Sequence, residues 1–197
     1  MLDNNYLESR KNLQRPSDLK HLVSFESKMV MRQTIEQTME SLPNGTRRLA
    51  ASLRTPIPMT SIWNILTDYD CLSDHIPNLV SSKVISRDGN RLHLNQVGAQ
   101  KLMGLKFSAQ VQLELIEDRK MGLLKFHLIK GDFRRFEGLW KIEDLRNGKG
   151  TSLLYELTVQ GCVGMPVALI EQRLREDLKT NLLAVEKAAM NIYLKDT

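Results

Sequence analysis

The residue types best suited to chemistry are concentrated in one polar stretch, residues 67–77, with the sequence TDYDCLSDHIP. Its three aspartates, Asp68, Asp70 and Asp74, could bind a divalent cation or act as general bases, and His75 follows them. A divalent-cation site needs oxygen ligands that converge, and this stretch lacks the ordered spacing of an EF-hand loop. We therefore expect the aspartates to cap turns, and we expect no metal site.

The other titratable and nucleophilic residues form no known catalytic pattern. The histidines show neither HExxH nor the paired spacing of zinc ligands, and His93 and His127 are predicted on polar strand faces. No serine or cysteine lies in a GxSxG-like setting, and NGKGT at 147–151 lacks the rest of a phosphate-binding loop. Cys71 and Cys162 lie far apart without a CxxC motif, which favours free thiols and a cytoplasmic protein. No cofactor is expected.

The composition is that of an ordinary globular protein: 197 residues, of which 42% are hydrophobic and 26% charged. The net charge of +5 arises in residues 46–197, because residues 1–45 hold six basic and six acidic residues. The basic residues occur singly or in adjacent pairs, such as Arg134 and Arg135, and form no stripe typical of nucleic-acid binding. No nucleic-acid partner is expected. No apolar run reaches the roughly 18 residues needed to span a bilayer.

Two regions of the chain differ in pattern. Residues 1–34 are polar, lack clear periodicity and contain no apolar segment typical of a secretory signal. They are predicted to be an N-terminal extension that is flexible or packs late onto the rest. Residues 35–197 carry regular hydrophobic patterns and are predicted to form one domain.

Hydrophobic and polar residues alternate from residue 79 onward, which is typical of strands with one dry face. The residues predicted on that face are Phe107, Ala109, Val111, Leu113, Leu115, Phe126, Phe136, Trp140 and Tyr155. Gln96 joins them if the inward register of its strand is Leu92, Leu94, Gln96. An earlier hairpin is predicted around the PNG turn at 43–45. Together these patterns predict an antiparallel sheet of about six to seven strands with one solvated face.

The stretch after Pro166 switches to helical periodicity. Apolar residues recur every three or four positions, at Val167, Ile170, Leu174, Leu178, Leu182, Val185, Ala189 and Ile192. This predicts an amphipathic helix of about seven turns, and only the dry face of the sheet offers a surface to cover it. One helix cannot contact a strongly curved sheet everywhere, so a space can remain between them. Periodicity leaves open whether that space is a cavity or filled core.

Four blocks occur together in an order typical of one family. They are WNILTDYDCLSDHIPNLVSSKVI (63–85), GDFRRFEGLWKIE (131–143), TSLLYELTV (151–159) and MPVALIEQRLREDLKTNLLAVEKAA (165–189). With them, the chain resembles the START-like (SRPBCC) superfamily, in its polyketide cyclase/dehydrase and coenzyme Q-binding branch. The resemblance implies an α+β helix-grip fold of the START/Bet v 1 type, in which a curved antiparallel sheet surrounds a long C-terminal helix. It also implies a cavity for lipids, quinones, polyketides or hormones, in a family where only some members are enzymes.

The resemblance gives the polar stretch 67–77 a place across one end of that cavity. Leu72 and Ile76 would point inward at the mouth, and the stretch would act as a gate rather than a catalytic centre. The residues expected to line the cavity are Leu72, Ile76, Gln96, Ala109, Val111, Phe126, Phe136, Trp140, Tyr155, Leu174 and Leu178.

The predicted function is to bind or transport a hydrophobic small molecule, such as a lipid, isoprenoid, quinone or polyketide-like compound. Burial of apolar groups would supply the affinity, and transient contact with a membrane surface is an associated hypothesis. The alternative is a polyketide cyclase, aromatase or dehydrase with Tyr155 as general acid. The chain lacks a convincing acid–base pair, which favours a binder over an enzyme. A third hypothesis is an interaction module whose cavity is closed. The sequence identifies neither the ligand nor the oligomeric state.

Overall fold

The computed structural model describes residues 35–102, 105–145, 150–162 and 167–195, and describes only the backbone for those of residues 100–107 and 167–170. The predicted N-terminal extension, residues 1–34, lies outside the described residues. So does most of the NGKGT segment at 147–151, and so do the predicted orientations of the Phe107, Val167 and Ile170 side chains.

Eight strands and three helices make up the described chain. The strands are β1 (Glu36–Ser41), β2 (Arg47–Thr55), β3 (Leu79–Asp88), β4 (Arg91–Leu102), β5 (Leu105–Asp118), β6 (Leu123–Gly131), β7 (Phe133–Asp144) and β8 (Thr151–Gly161). The helices are α1 (Met59–Thr67), α2 (Leu72–His75) and α3 (Val167–Tyr193), with 3-10 turns at Pro43–Gly45 and Tyr69–Cys71.

The strands form one antiparallel sheet in the order β1-β2-β8-β7-β6-β5-β4-β3. Strands β3 to β8 follow one another as a meander, and the N-terminal hairpin joins through β2, where Leu53 lies opposite Leu153. The helix-grip prediction is confirmed, but the predicted total of about six to seven strands is too low. Both strands of the predicted N-terminal hairpin are present. The weaker one, β1, is an edge strand whose residues are exposed except for the half-buried Met39, so its sequence pattern indicates a strand less clearly than the others.

Helix α3 buries the predicted stripe against α1, β2 and β8. Leu178, Leu182, Val185 and Ala189 are at most 1% exposed. Helix α1 contributes Ile62, Trp63, Ile65 and Leu66 to the same core. Among the described residues of the predicted stripe, Leu174 is half-buried. Ile192 is 40% exposed, because the last turn of α3 extends past the core.

Candidate functional site on the interior face of the sheet

The interior face of the sheet is closed at one end and more open at the other. Near α1, the inward residues are at most 1% exposed; they are Leu92, Leu94, Leu124, Ile142 and Leu153. Farther along the same face, away from α1, several inward residues are only half-buried; they are Gln96, Gly98, Ala109, Leu128 and Phe136. Burial therefore decreases along strands β4 to β7 as they run away from α1.

Helix α3 covers the β2 and β8 side of the open end. Leu49 and Val159, which lie at that end of β2 and β8, are almost fully buried. An ion pair between Arg47 and Glu171 and a hydrogen bond from the Gln37 Nε2 to the Arg175 carbonyl oxygen (2.7 Å) hold the helix to β2 and β1. The half-buried part of the interior face thus belongs to β4–β7, beside the helix.

Aromatic side chains mark the boundary between the closed and open ends. The rings of Trp140 and Tyr155 stack with centroids 4.0 Å apart and planes 2° apart. Phe126 lies 6.4 Å from Tyr155 and 5.9 Å from Phe136, measured between ring centroids, and Phe133 continues the cluster 5.3 Å beyond Phe136. Four predicted site residues are therefore brought together here.

The hydroxyl of Tyr155 is the unusual group in this cluster. The residue is 8% exposed, and its hydroxyl forms no hydrogen bond with any described residue, although a buried phenol normally has a partner. Every fully enclosed side-chain nitrogen or oxygen among the described residues has a partner. The Tyr155 hydroxyl therefore has no bond that the described residues account for. Burial, and secondarily the charge of Asp177, raises the pKa of Tyr155, so it remains a proton-bearing donor.

Gln96 faces the interior in the predicted register, with Leu92 and Leu94 preceding it on the same face. Its Nε2 donates to the Oγ of the buried Ser82 on β3 (3.1 Å), which fixes the carboxamide at the open end. Its cross-strand neighbour Val111 is buried. These residues extend the polar and apolar surface from Tyr155 toward the edge strand.

The corner between α2 and β3 spans the open end. Of the two residues predicted at the cavity mouth, Leu72 is buried and Ile76 is half-buried. Beyond them, Asn78 donates from Nδ2 to the Oδ1 of Asp177 on α3 (3.3 Å), and its carbonyl oxygen accepts from the backbone N–H of Ala99 on β4 (2.9 Å). The corner therefore connects the helix to β4.

On α3, Leu178 is fully buried and Leu174 is half-buried, and Asp177 lies between these two positions. Sequence reasoning missed both Asp177 and Asn78. The sequence signal that could have found them is the position of Asp177 next to the predicted inward stripe of the helix. A charged residue at such a position requires a polar neighbour.

The polar residues of 67–77 have structural partners. The Tyr69 hydroxyl donates a hydrogen bond to the carboxylate of Glu117 (2.8 Å). The same carboxylate also accepts a hydrogen bond from the guanidinium of Arg87 (2.8 Å). Asp70 accepts from the backbone N–H of Val84 on β3 (3.0 Å), so it holds a strand rather than its own turn as predicted. The carboxylate of Asp68, close in sequence, raises the pKa of the Cys71 thiol. This segment is an anchored corner, and the described residues contain no cluster that could hold a metal ion.

The outer face of the sheet carries His93 and His127, as predicted. His93 and His127 lie 3.4 and 3.7 Å from the carboxylate of Glu114, and Arg91 donates to the same carboxylate (2.8 Å). The Arg91 hydrogen bond lowers the pKa of Glu114, with a smaller contribution from His93. These residues lie on the solvent side, away from the aromatic cluster.

A statistical model of one protein family, described as polyketide cyclase / dehydrase and lipid transport, matches residues 55–186. The chain belongs to this family. The match includes α1, the corner, strands β3–β8 and most of α3, whereas β1 and nearly all of β2 lie outside it. No protein with a curated description matches the chain.

Solved structures share the fold. TTHA0849 from Thermus thermophilus is 23% identical, with a TM-score of 0.65 over 74% of this chain and 98% of that chain. A STAR-related lipid transfer protein from Xanthomonas axonopodis is 10% identical, with a TM-score of 0.69 over 80% of this chain and 98% of that chain. The Zhui aromatase/cyclase from Streptomyces sp. R1128 is 11% identical, with a TM-score of 0.59 over 74% and 92%. At these identities the similarity establishes the START-like fold. Among the described helices of this family member, none is long and apolar enough to cross a membrane.

Proposed function

We propose that this member of the polyketide cyclase/dehydrase and lipid transport family binds a hydrophobic small molecule between the open end of the sheet and helix α3. The observation that carries the proposal is the Tyr155 hydroxyl, a buried donor without a described partner, set among Phe126, Phe136 and Trp140. Apolar walls with a few polar groups are typical of small-molecule sites. The family description and the lipid-transfer relative support this class of ligand.

The residues proposed to contact the ligand are those predicted from the sequence: Leu72, Ile76, Gln96, Ala109, Val111, Phe126, Phe136, Trp140, Tyr155, Leu174 and Leu178. Each side chain would gain roughly 25 cal/mol per Å² of apolar surface that the ligand buries, less the cost of ordering the ligand. Fixed aromatic rings such as the Trp140–Tyr155 stack lose little freedom when a ligand binds.

The alternative is catalysis of the aromatase/cyclase kind, supported by the relative of that description. A general acid must release its proton in the reaction, and efficient acids have a pKa near the working pH. The raised pKa of Tyr155 makes it a poor acid and a good hydrogen-bond donor. We therefore favour orientation of a ligand oxygen by Tyr155 over proton transfer from it.

Finer features of the proposal rest on single observations. A quinone of the coenzyme Q type is one ligand that would use both an apolar wall and a phenol donor. Transient contact with a membrane surface is supported by Val80, 61% exposed beside the corner. Two free cysteines, Cys71 and Cys162, support a cytoplasmic location. A nucleic-acid partner is not proposed, since Arg87, Arg91 and other described cations are occupied by carboxylates.

The test is to purify the protein, extract it with organic solvent and identify co-purified compounds by mass spectrometry. Ala109→Trp places a large side chain on the interior face at the open end, whereas Gln112→Trp places the same side chain on the opposite face of β5. We expect a hydrophobic compound in the wild type and in Gln112→Trp, and its loss in Ala109→Trp.

Circular dichroism and thermal unfolding check that both variants fold. Lipids and quinones are then added to the delipidated protein, where binding raises the unfolding temperature. The proposal fails if no compound is extracted and if none of the added ligands shifts the unfolding temperature of the wild type.

A further inference from the structure

One polar side chain on the interior face of the sheet is fixed at one end and has no described partner at the other. We propose, building on the ligand-binding function above, that this residue, Gln96, selects ligands that carry a hydroxyl group, and that Ser82 positions its carboxamide. The two residues lie on β4 and β3, apart from Tyr155 on β8.

Gln96 faces the interior because of the register of β4. Leu94 and Leu92, two and four positions before it, are each 1% exposed, and β4 pairs with β5 along its whole length without a bulge. Side chains alternate between the two faces of such a strand, so Gln96 shares the face of these two leucines. Its carboxamide therefore lies on the face that the proposed ligand contacts.

Ser82 holds one end of the carboxamide. It is the cross-strand partner of Gln96 on β3 and is 1% exposed, and its Oγ accepts a hydrogen bond from the Gln96 Nε2 (3.1 Å). The carboxamide oxygen, Oε1, accepts no hydrogen bond from the residues that the structure describes. Because Ser82 engages the nitrogen, the end that remains for a ligand is an acceptor, and an acceptor requires a donor.

Small residues border Gln96 on the side of the open end. The next inward residue of β4 is Gly98, whose partner on β5 is Ala109, and both are half-buried. A Cβ added to Gly98 would meet only the Asn78 carbonyl oxygen, at 3.5 Å. On the opposite side of Gln96, the buried Leu94 leaves no such room. A ligand group can therefore approach the carboxamide from the side of Gly98 and Ala109.

A ligand without a donor would leave the Gln96 oxygen unpaired. Such a ligand displaces water from Oε1 and puts apolar groups in its place, which weakens binding. A ligand hydroxyl restores the hydrogen bond, and a site built around a hydrogen bond discriminates against the analogue that cannot form it. Tyr155 does not supply this selection, because its hydroxyl donates to a ligand oxygen whether or not that oxygen carries a hydrogen.

Two isomeric ligands test the proposal: dodecanol and methyl undecyl ether. They contain the same atoms, but only the oxygen of the alcohol carries a hydrogen. Each displaces the neutral fluorescent probe N-phenyl-naphthylamine from the delipidated protein. We expect the alcohol to bind about tenfold more tightly than the ether, the scale of one hydrogen bond to a partly buried group. Tyr155→Phe should weaken both ligands and preserve the ratio of their affinities.

Gln96→Leu removes the acceptor and nearly keeps the size of the side chain. The two ligands should then bind within about twofold of each other. The matched control is Gln112→Leu, the same substitution on the opposite face of the sheet, which should preserve the full preference. Ser82→Ala keeps Gln96 but releases its amide nitrogen, and should reduce the preference to about threefold. A general loss of stability would not change this ratio, because both affinities are measured on the same variant.

The comparison of the two isomers on the wild type needs no substitution. Equal affinity, or tighter binding of the ether, overturns the selection of a hydroxyl and leaves hydrophobic binding intact. A preference that persists in Gln96→Leu overturns the role of Gln96, and a full preference in Ser82→Ala overturns that of Ser82. Failure of the probe and of both ligands to bind overturns the proposed function as well.

Discussion

The indole of Trp140 and the phenol of Tyr155 lie face to face across β7 and β8, with ring centroids 4.0 Å apart. The two residues are direct cross-strand partners in the register of the sheet. The stack therefore fixes the plane of the phenol ring through packing alone, without using its hydroxyl. Stability and ligand recognition are separable at Tyr155 for this reason.

The first prediction compares two buried tyrosines. Tyr155→Phe removes a hydroxyl without a described partner and should change the free energy of unfolding by less than about 1 kcal/mol. Tyr69→Phe removes a hydrogen bond to the carboxylate of Glu117 and should cost about 1.5–3 kcal/mol. Urea denaturation of both variants measures the difference. Equal losses would show that the Tyr155 hydroxyl has a structural partner.

The second prediction concerns alkaline pH. Burial, followed by the Glu117 hydrogen bond, raises the pKa of Tyr69 above its ordinary value of 10.0, and burial raises that of Tyr155. Below about pH 10 both the folded and the unfolded states keep these protons, so stability is unaffected. Above it the unfolded state loses them first, and stability should fall by about 1.4 kcal/mol per pH unit for each tyrosine. Urea midpoints across this range measure the slope, which the double phenylalanine variant should flatten.

The third prediction concerns Asn78, whose φ of 66° places a non-glycine residue in the left-handed region. Asn78→Ala should cost about 2–3 kcal/mol, because it combines backbone strain with loss of the bond to Asp177. Asn78→Gly removes the same hydrogen bond, but glycine adopts a positive φ without strain. It should therefore cost only about 1 kcal/mol. Thermal and urea unfolding distinguish the two. A larger loss for glycine than for alanine would contradict the role of the backbone.

The fourth prediction compares two half-buried strand glycines. A Cβ on Gly138 would lie 2.0 Å from the Glu156 carbonyl oxygen and 2.8 Å from Phe126 Cζ, whereas a Cβ on Gly98 would meet only the Asn78 carbonyl oxygen at 3.5 Å. Gly138→Ala should therefore cost about 3 kcal/mol or more and displace the Phe126 ring. Gly98→Ala should cost less than about 1 kcal/mol. Equal stability of the two variants, measured by urea denaturation, would refute this comparison.

Most of the fold was predictable because its information is local. Alternation in β5 and the three-to-four spacing in α3 reflect one buried face, which any sequence of this kind must display. The N-terminal hairpin was predicted from its PNG turn, but the total number of strands was set too low, since an exposed edge strand such as β1 needs no such alternation. Ile192 was assigned to the buried stripe because spacing along a helix cannot reveal where the neighbouring core ends.

The site was only partly predictable. The inward faces carrying Gln96, Trp140 and Tyr155 followed from alternation. The pair of Asn78 and Asp177 did not, because no periodicity connects a corner residue with a helix residue so distant in sequence. The hydrogen bond from Tyr69 to Glu117 was not predicted, for the same reason. It helps to anchor the polar stretch 67–77 as a corner.

Strand β2 pairs with β8 along its whole length, from Arg47 opposite Val159 to Thr55 opposite Thr151. During translation, β2 is synthesised early, whereas β8 is the last of the strands to be synthesised. The meander of β3 to β7 can assemble as it emerges, since its pairings are local. The N-terminal hairpin must wait with one edge unpaired and with Leu49 and Leu53 uncovered. During translation, this topology exposes the beginning of the domain to chaperones and to aggregation until almost the entire sheet has been synthesised.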